Sequence, residues 1–264
     1  MRLALGLQYD GSAFHGWQTQ PDGCTVQDAV EHALAQLAGA AVPTTCAGRT
    51  DAGVHATYQV IHVDPPVTRP LTAWVRGVNR FLPPAVAVRW AVPVSAEFHA
   101  RFSAVSRRYD YWLLNDPARS PLLYRRSGWL PRPLQIEPMR RAAAALVGRH
   151  DFSAFRSAEC QAASPVRELS ELSIASFGAL LRFRLVANAF LHHMVRNIVG
   201  MLVYVGLGRQ PPEWAVQLLE GRDRTAAAPT FAADGLYLSG VEYDAVFGLP
   251  APAEGGLLAC FEHG

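Results

Sequence analysis

The strongest constraint on the fold is an order of elements that occurs twice along the chain. In residues 2–10, Leu3, Leu5, Leu7 and Tyr9 fall on alternate positions, the period of a half-buried strand. A loop rich in Gly, Ser, Asp and Pro follows over 11–23. Thr25 then stands where it can cap a helix running to about Ala38, with Asp28 in the capping-box position and Gly39 as the stop. Residues 42–46 and 57–63 predict two strands around a Gly-containing loop. A helix over 71–81, closed by Pro83-Pro84, and a strand over 85–94 complete the set. The order β-α-β-β-α-β is the split βαβ, or ferredoxin-like, pattern.

The second half repeats it: a strand over 107–115, a helix over 138–147, and strands over 166–176 and 180–187. A long apolar helix over 190–205, a short helix over 213–219 and a last strand over 236–243 follow. The expected class is therefore α+β, with two ferredoxin-like halves, 1–104 and 105–248. Their antiparallel sheets are expected to join into a continuous central sheet with a cleft between the halves. The Pro/Gly-rich stretch 249–264 is expected to be a loose tail.

A length of 264 residues is enough for either half to bury a core of its own. No apolar run reaches the roughly 20 residues of a membrane span, and the first ten residues alternate as a strand does, unlike a leader. A soluble, cytoplasmic protein is expected. All 24 basic residues are arginine, in keeping with GC-rich codon usage, and the absence of lysine excludes a Schiff-base or P-loop lysine. The net charge of +2 conceals an uneven distribution. Residues 101–149 carry ten Arg against three acids, a local excess of +7 that suits a polyanionic partner. Cys24, Cys46, Cys160 and Cys260 are scattered, with no CxxC spacing, which argues against a structural zinc site or a disulfide framework.

Three segments can carry chemistry. In Ala47-Gly48-Arg49-Thr50-Asp51-Ala52-Gly53-Val54-His55-Ala56, two glycines let the backbone thrust a charged pair out between two strands. Asp51 could serve there as nucleophile or general base; the same residues also suit an ordinary Asp-Gly turn with a surface Arg–Asp pair. The helix over 190–205 is apolar nearly all round, so it should be buried. It carries Arg196 but no acid. A buried guanidinium requires a carboxylate or phosphate from elsewhere, and Asp51 could supply it; the alternative is that Arg196 snorkels to solvent. Finally, Glu97 to Ser103 leads into Arg107-Arg108-Tyr109-Asp110-Tyr111, an Arg/Tyr alternation that suits RNA phosphates and an unstacked base. It equally suits an edge strand with charged ends and core tyrosines. His15 and Trp17, in the loop after the first strand, could meet a partner or fold over their own core. His192-His193 lacks the further ligands a metal site requires.

These segments together resemble one family, tRNA pseudouridine synthase A. The matching islands are Tyr9–Gln20, Gly48–Ala56, Phe98–Tyr111, Gly148–Phe152, Phe190–Gly200, Ala228-Pro229 and Gly235–Leu238, in the family's order over about residues 1–245. The resemblance implies the pseudouridine synthase fold, a homodimer and no cofactor. It implies isomerisation of uridines 38, 39 and 40 in the anticodon stem-loop of tRNA. Carried onto this chain, Asp51 is the catalytic carboxylate and Arg49 holds the target nucleotide out of the stack. Tyr109 stacks on the uracil and Arg196 pairs with the aspartate. Arg101, Arg107, Arg108, Arg125 and Arg126 are the expected RNA contacts, and no metal is expected. His192-His193-Met194 departs from what many relatives carry before Val-Arg.

Overall fold

The computed structural model describes residues 1–253. In chain order its elements are β1 (Arg2–Tyr9), α1 (Val26–Ala38), β2 (Thr45–Cys46), β3 (His55–Val63), α2 (Leu71–Asn79) and β4 (Val86–Val94). They continue with β5 (Ala104–Asn115), β6 (Gly128–Leu130), α3 (Ile136–Ala144), β7 (Gly148–Asp151), β8 (Val166–Phe177) and β9 (Leu180–Ala187). The last are α4 (Met194–Gly206), α5 (Trp214–Gly221) and β10 (Leu236–Tyr243). The chain is α+β with mostly antiparallel pairing, as its element order predicts. It forms two compact units. One is Met1–Arg107 with the described residues from Tyr237 onward; the other is Arg108–Leu236.

In the first unit the strand order is β4-β1-β3, with β2 and β10 both on the outer edge of β3. β2 is only two residues long and pairs Thr45 with His62 and Cys46 with Ile61. The start of β3 therefore keeps an open edge, and β10 fills it in parallel, Tyr237 opposite His55 and Leu238 opposite Ala56. Through this pairing β10 groups with residues 1–107. β1 is buried on both faces where one was expected, because Ala4 and Gly6 are covered as fully as Leu3, Leu5 and Leu7. Thr25 Oγ1 caps α1 by accepting from Asp28 N at 3.2 Å, and Gly39 ends the helix at φ 75°.

The second unit orders its strands β5-β9-β8-β7, with β6 parallel to β5. β8 and β9 form a hairpin in which Phe177 faces Leu180 across Gly178-Ala179. α4 is the buried helix, with eleven of its thirteen residues inside the core. It begins four residues later than the apolar run suggests. His192 and His193 precede it, and His193 sits in the left-handed region at φ 62°. The tail expected over 249–264 lies, from 254 onward, outside the described residues. No helix among the described residues is long and apolar enough to cross a membrane.

Candidate functional site

The loop joining β2 to β3 presents Asp51, and its backbone is fixed on several sides. The carbonyl of Ala47 accepts from Arg107 Nη2 at 3.2 Å, and that of Gly48 from Gln59 Nε2 at 2.6 Å. Trp17 N donates to Thr50 O at 2.9 Å, and Val54 N to Asp51 O at 3.1 Å. Thr50 is buried, its hydroxyl 2.8 Å from Tyr9 Oη at the end of β1. The polypeptide of 10–20 lies directly against this loop. Gly16, at φ 97°, would place a Cβ 2.8 Å from Thr50 O, so no other residue fits there. Trp17 accordingly folds into the core, fully buried and 6.1 Å from the Tyr9 ring. His55, where β3 begins, accepts from Gly11 N at 3.1 Å and stacks on Tyr237 at 4.6 Å. So fixed a frame holds the Asp51 carboxylate in place with little backbone entropy left to lose. Asp51 itself is half-buried and Arg49, two residues before it, is exposed.

Arg101 and Arg107 also belong to this unit, but only Arg101 is exposed. The Arg107 guanidinium turns inward, to the carbonyls of Ala47, Arg101 and Ala104. Through the Ala47 carbonyl, Arg107 fastens the Asp51 loop.

The second unit holds Tyr109, Arg108, Arg125, Arg126 and Arg196. Tyr109 is 8% exposed and meets Phe190 edge-on, ring centres 5.0 Å apart. Arg108, on the opposite face of β5, is also buried. Arg125 and Arg126 are exposed, Arg125 with φ 56°. Arg196 lies in the first turn of α4 and is half-buried, between the two sequence alternatives of full burial and snorkelling. Its Nε donates to Phe231 O at 2.8 Å, while Phe231 N donates to Arg196 O at 3.2 Å, so side chain and backbone grip one residue.

Two buried polar groups escaped the sequence reading. Asp110 is wholly buried and accepts from Arg184 Nε at 2.9 Å, an ion pair across β5 and β9. Asn197 donates to Phe155 O at 2.8 Å and accepts from Thr230 Oγ1 at 2.7 Å and Arg224 Nη2 at 3.0 Å. The signal for the first was present, an acid between tyrosines on one strand and Arg182/Arg184 on another, but alternation alone does not pair strands. Folding also gathers His15, Asp22 and Cys24 within 4.8 Å of one another, exposed, although their spacing suggested no cluster. His15 Nδ1 is 2.6 Å from Asp22, whose carboxyl is held below its ordinary range by the amide of Cys24 and by His15.

The first unit thus offers a fixed carboxylate beside an exposed arginine, and the second a buried tyrosine and a half-buried arginine. The family signature described as tRNA pseudouridine synthase matches residues 7–103 and 142–244. The chain belongs to that family, whose members are isomerases acting on tRNA. Among its relatives, the protein named tRNA pseudouridine synthase A of Dechloromonas aromatica is 58% identical over 252 residues, 96% of each chain. Those of Methylibium petroleiphilum and Burkholderia mallei carry the same name. The first is 58% identical, covering 95% of this chain and 96% of its own; the second is 57% identical, covering 97% and 94%. A solved archaeal box H/ACA Nop10–Cbf5 complex matches 85% of this chain and 59% of its own, at 10% identity and a TM-score of 0.35.

Proposed function

We propose that this protein isomerises uridine to pseudouridine at positions 38, 39 and 40 in the anticodon stem-loop of tRNA, with Asp51 as the essential carboxylate. The observation that carries the reading is the fixed Asp51 loop in a chain of this family. The reaction breaks N1–C1′, turns the uracil and forms C5–C1′. The C5 proton leaves, N1 gains one, and no electrons are exchanged. A single carboxylate suffices, whether it attacks C1′, attacks C6 or takes the 2′-proton. The uridine must first leave the helical stack, at a cost of a few kcal/mol offset by contacts to the rest of the RNA. Arg49, exposed beside Asp51, holds it out; Tyr109 packs on the uracil; Arg196, steadied through Phe231, supplies the positive charge. Arg101, Arg125 and Arg126 take phosphates, whereas Arg107 and Arg108 are committed inside the protein. The enzyme acts as a homodimer in the cytoplasm, without cofactor or metal.

Asp51→Asn tests this directly. Tritium release from tRNA carrying 5-tritiated uridine should be abolished while tRNA affinity stays within about threefold of wild type. Normal release from the variant overturns the assignment. Mass spectrometry of treated tRNA separates isomerisation, which leaves the mass unchanged, from N-glycosidic hydrolysis, which removes uracil. If the chain were only an RNA binder, Asp51→Asn would fully restore a strain lacking the protein.

A further inference from the structure

The turn His99–Ser103 is built more rigidly than a connection between β4 and β5 requires. All five of its backbone N–H groups are engaged. Ser103 N donates to His99 O at 2.8 Å, His99 N to Ser103 Oγ at 2.9 Å and Ala100 N to His62 Nδ1 at 3.1 Å. Arg101 N and Phe102 N both reach His99 Nδ1 at 3.2 Å. Ala100 O accepts from Tyr243 Oη at 2.6 Å, and Arg101 O from Arg107. Phe98, at the root of the turn, is fully buried against Tyr243 and Phe247. Yet this frame delivers Phe102 to solvent, 75% exposed. The His99 ring stacks on it at 4.3 Å and 28°, and the Arg101 guanidinium carbon lies 5.5 Å from its centre.

A lone exposed apolar side chain needs no explanation. An exposed aromatic ring on a preordered turn, backed by a second ring and flanked by an exposed arginine, has the composition of a single-strand stacking site. The Arg107 guanidinium that holds Arg101 O also holds Ala47 O, so the turn and the Asp51 loop hang from one clamp. We infer that the 99–103 turn is a nucleobase-stacking platform: Phe102 takes the face of an unpaired RNA base and Arg101 the phosphate beside it. The base is not the uridine that reacts, because an open ring cannot retain a detached uracil. The inference rests on the RNA-modifying role proposed above.

The test uses the full chain with an unmodified tRNA transcript and the variants Phe102→Ala, Phe102→Leu and Phe102→Trp. Stacking on one base is reflected in about a 5- to 150-fold change in Kd. Alanine and leucine should both weaken binding within that range. Tryptophan should stay within about twofold of wild type, with added fluorescence that tRNA quenches. The rate constant at saturating tRNA should be unchanged in all three. The platform is overturned if leucine binds as well as phenylalanine, if all three bind like wild type, or if Phe102→Ala alters the sedimentation mass of the free protein, which would mark a subunit contact. Pseudouridine formation by the wild-type chain is scored separately, so a protein that binds tRNA without isomerising it defeats the proposed function and leaves the platform to be judged by Kd.

Discussion

Asp110 shows how one buried charge can hold two strands in register. It is 0% exposed, and Arg184 is its cation. Removing one partner of such a pair leaves the other buried and uncompensated, at about 3–5 kcal/mol. Asp110→Ala should lower the unfolding free energy by that amount in a denaturant melt. The double variant Asp110→Leu/Arg184→Met should recover most of it, since an apolar pair carries no desolvation penalty. A second residue sets an acid limit. Burial, with Arg2 and His99 adding, pushes the His62 imidazole down to about 4 from an ordinary 6.5. The unfolded chain therefore takes up this proton at a higher pH than the folded one. The contribution of neutral His62 is complete above about pH 6.5 and is lost as pH falls toward 4. Asn at position 62 can still accept from Ala100 N without titrating, so His62→Asn should flatten the stability profile between those values. Residue types were legible in the sequence wherever a local pattern marks them, as at Thr25 and Gly39. Asp110–Arg184 was not, because its partners lie 74 residues apart and only strand order joins them.

At the scale of elements, α4 supports the half-buried Arg196 by packing against residues 228–231 at backbone distance. A Cβ on Gly200 would lie 2.5 Å from Pro229 O, and a carbonyl cannot rotate away as a side chain can. Gly200→Ala should therefore destabilise the protein by about 1–3 kcal/mol. It should also lower activity, because the displaced segment includes Phe231, which holds Arg196 Nε. A variant with full stability and full activity would show that the segment yields freely. Hydrophobic period placed nearly every long element within a few residues, including β9 at its observed length and β8 to within one residue. It extended α4 back through Phe190 because apolarity cannot mark a start. What ends the helix is His193 in a left-handed conformation, a backbone choice with no periodic trace. β6 and β7, of three and four residues, are too short to show any period.

For the whole molecule, the net charge of +2 is the wrong quantity to associate with RNA binding. The excess lies in 101–149, and even there the ten arginines do different work: Arg107 and Arg108 are turned inside, and Arg140 holds Ile174 O. Arg101, Arg119, Arg125, Arg126, Arg132, Arg141 and Arg149 remain at the surface. Each phosphate a basic side chain neutralises releases condensed counterion, so log Kd should rise with log salt concentration by about 0.7–0.9 per contact. Arg125→Ala and Arg126→Ala should each reduce the slope measured with tRNA by about one. Arg107→Leu should leave the slope unchanged and instead reduce the rate at saturating tRNA, because it releases the Ala47 carbonyl that fastens the Asp51 loop. Since the chain has no lysine, amine acetylation can reach only the N-terminus and should not alter the slope. A slope that fell with Arg107→Leu and not with Arg125→Ala would reverse the division between structural and RNA-facing arginines.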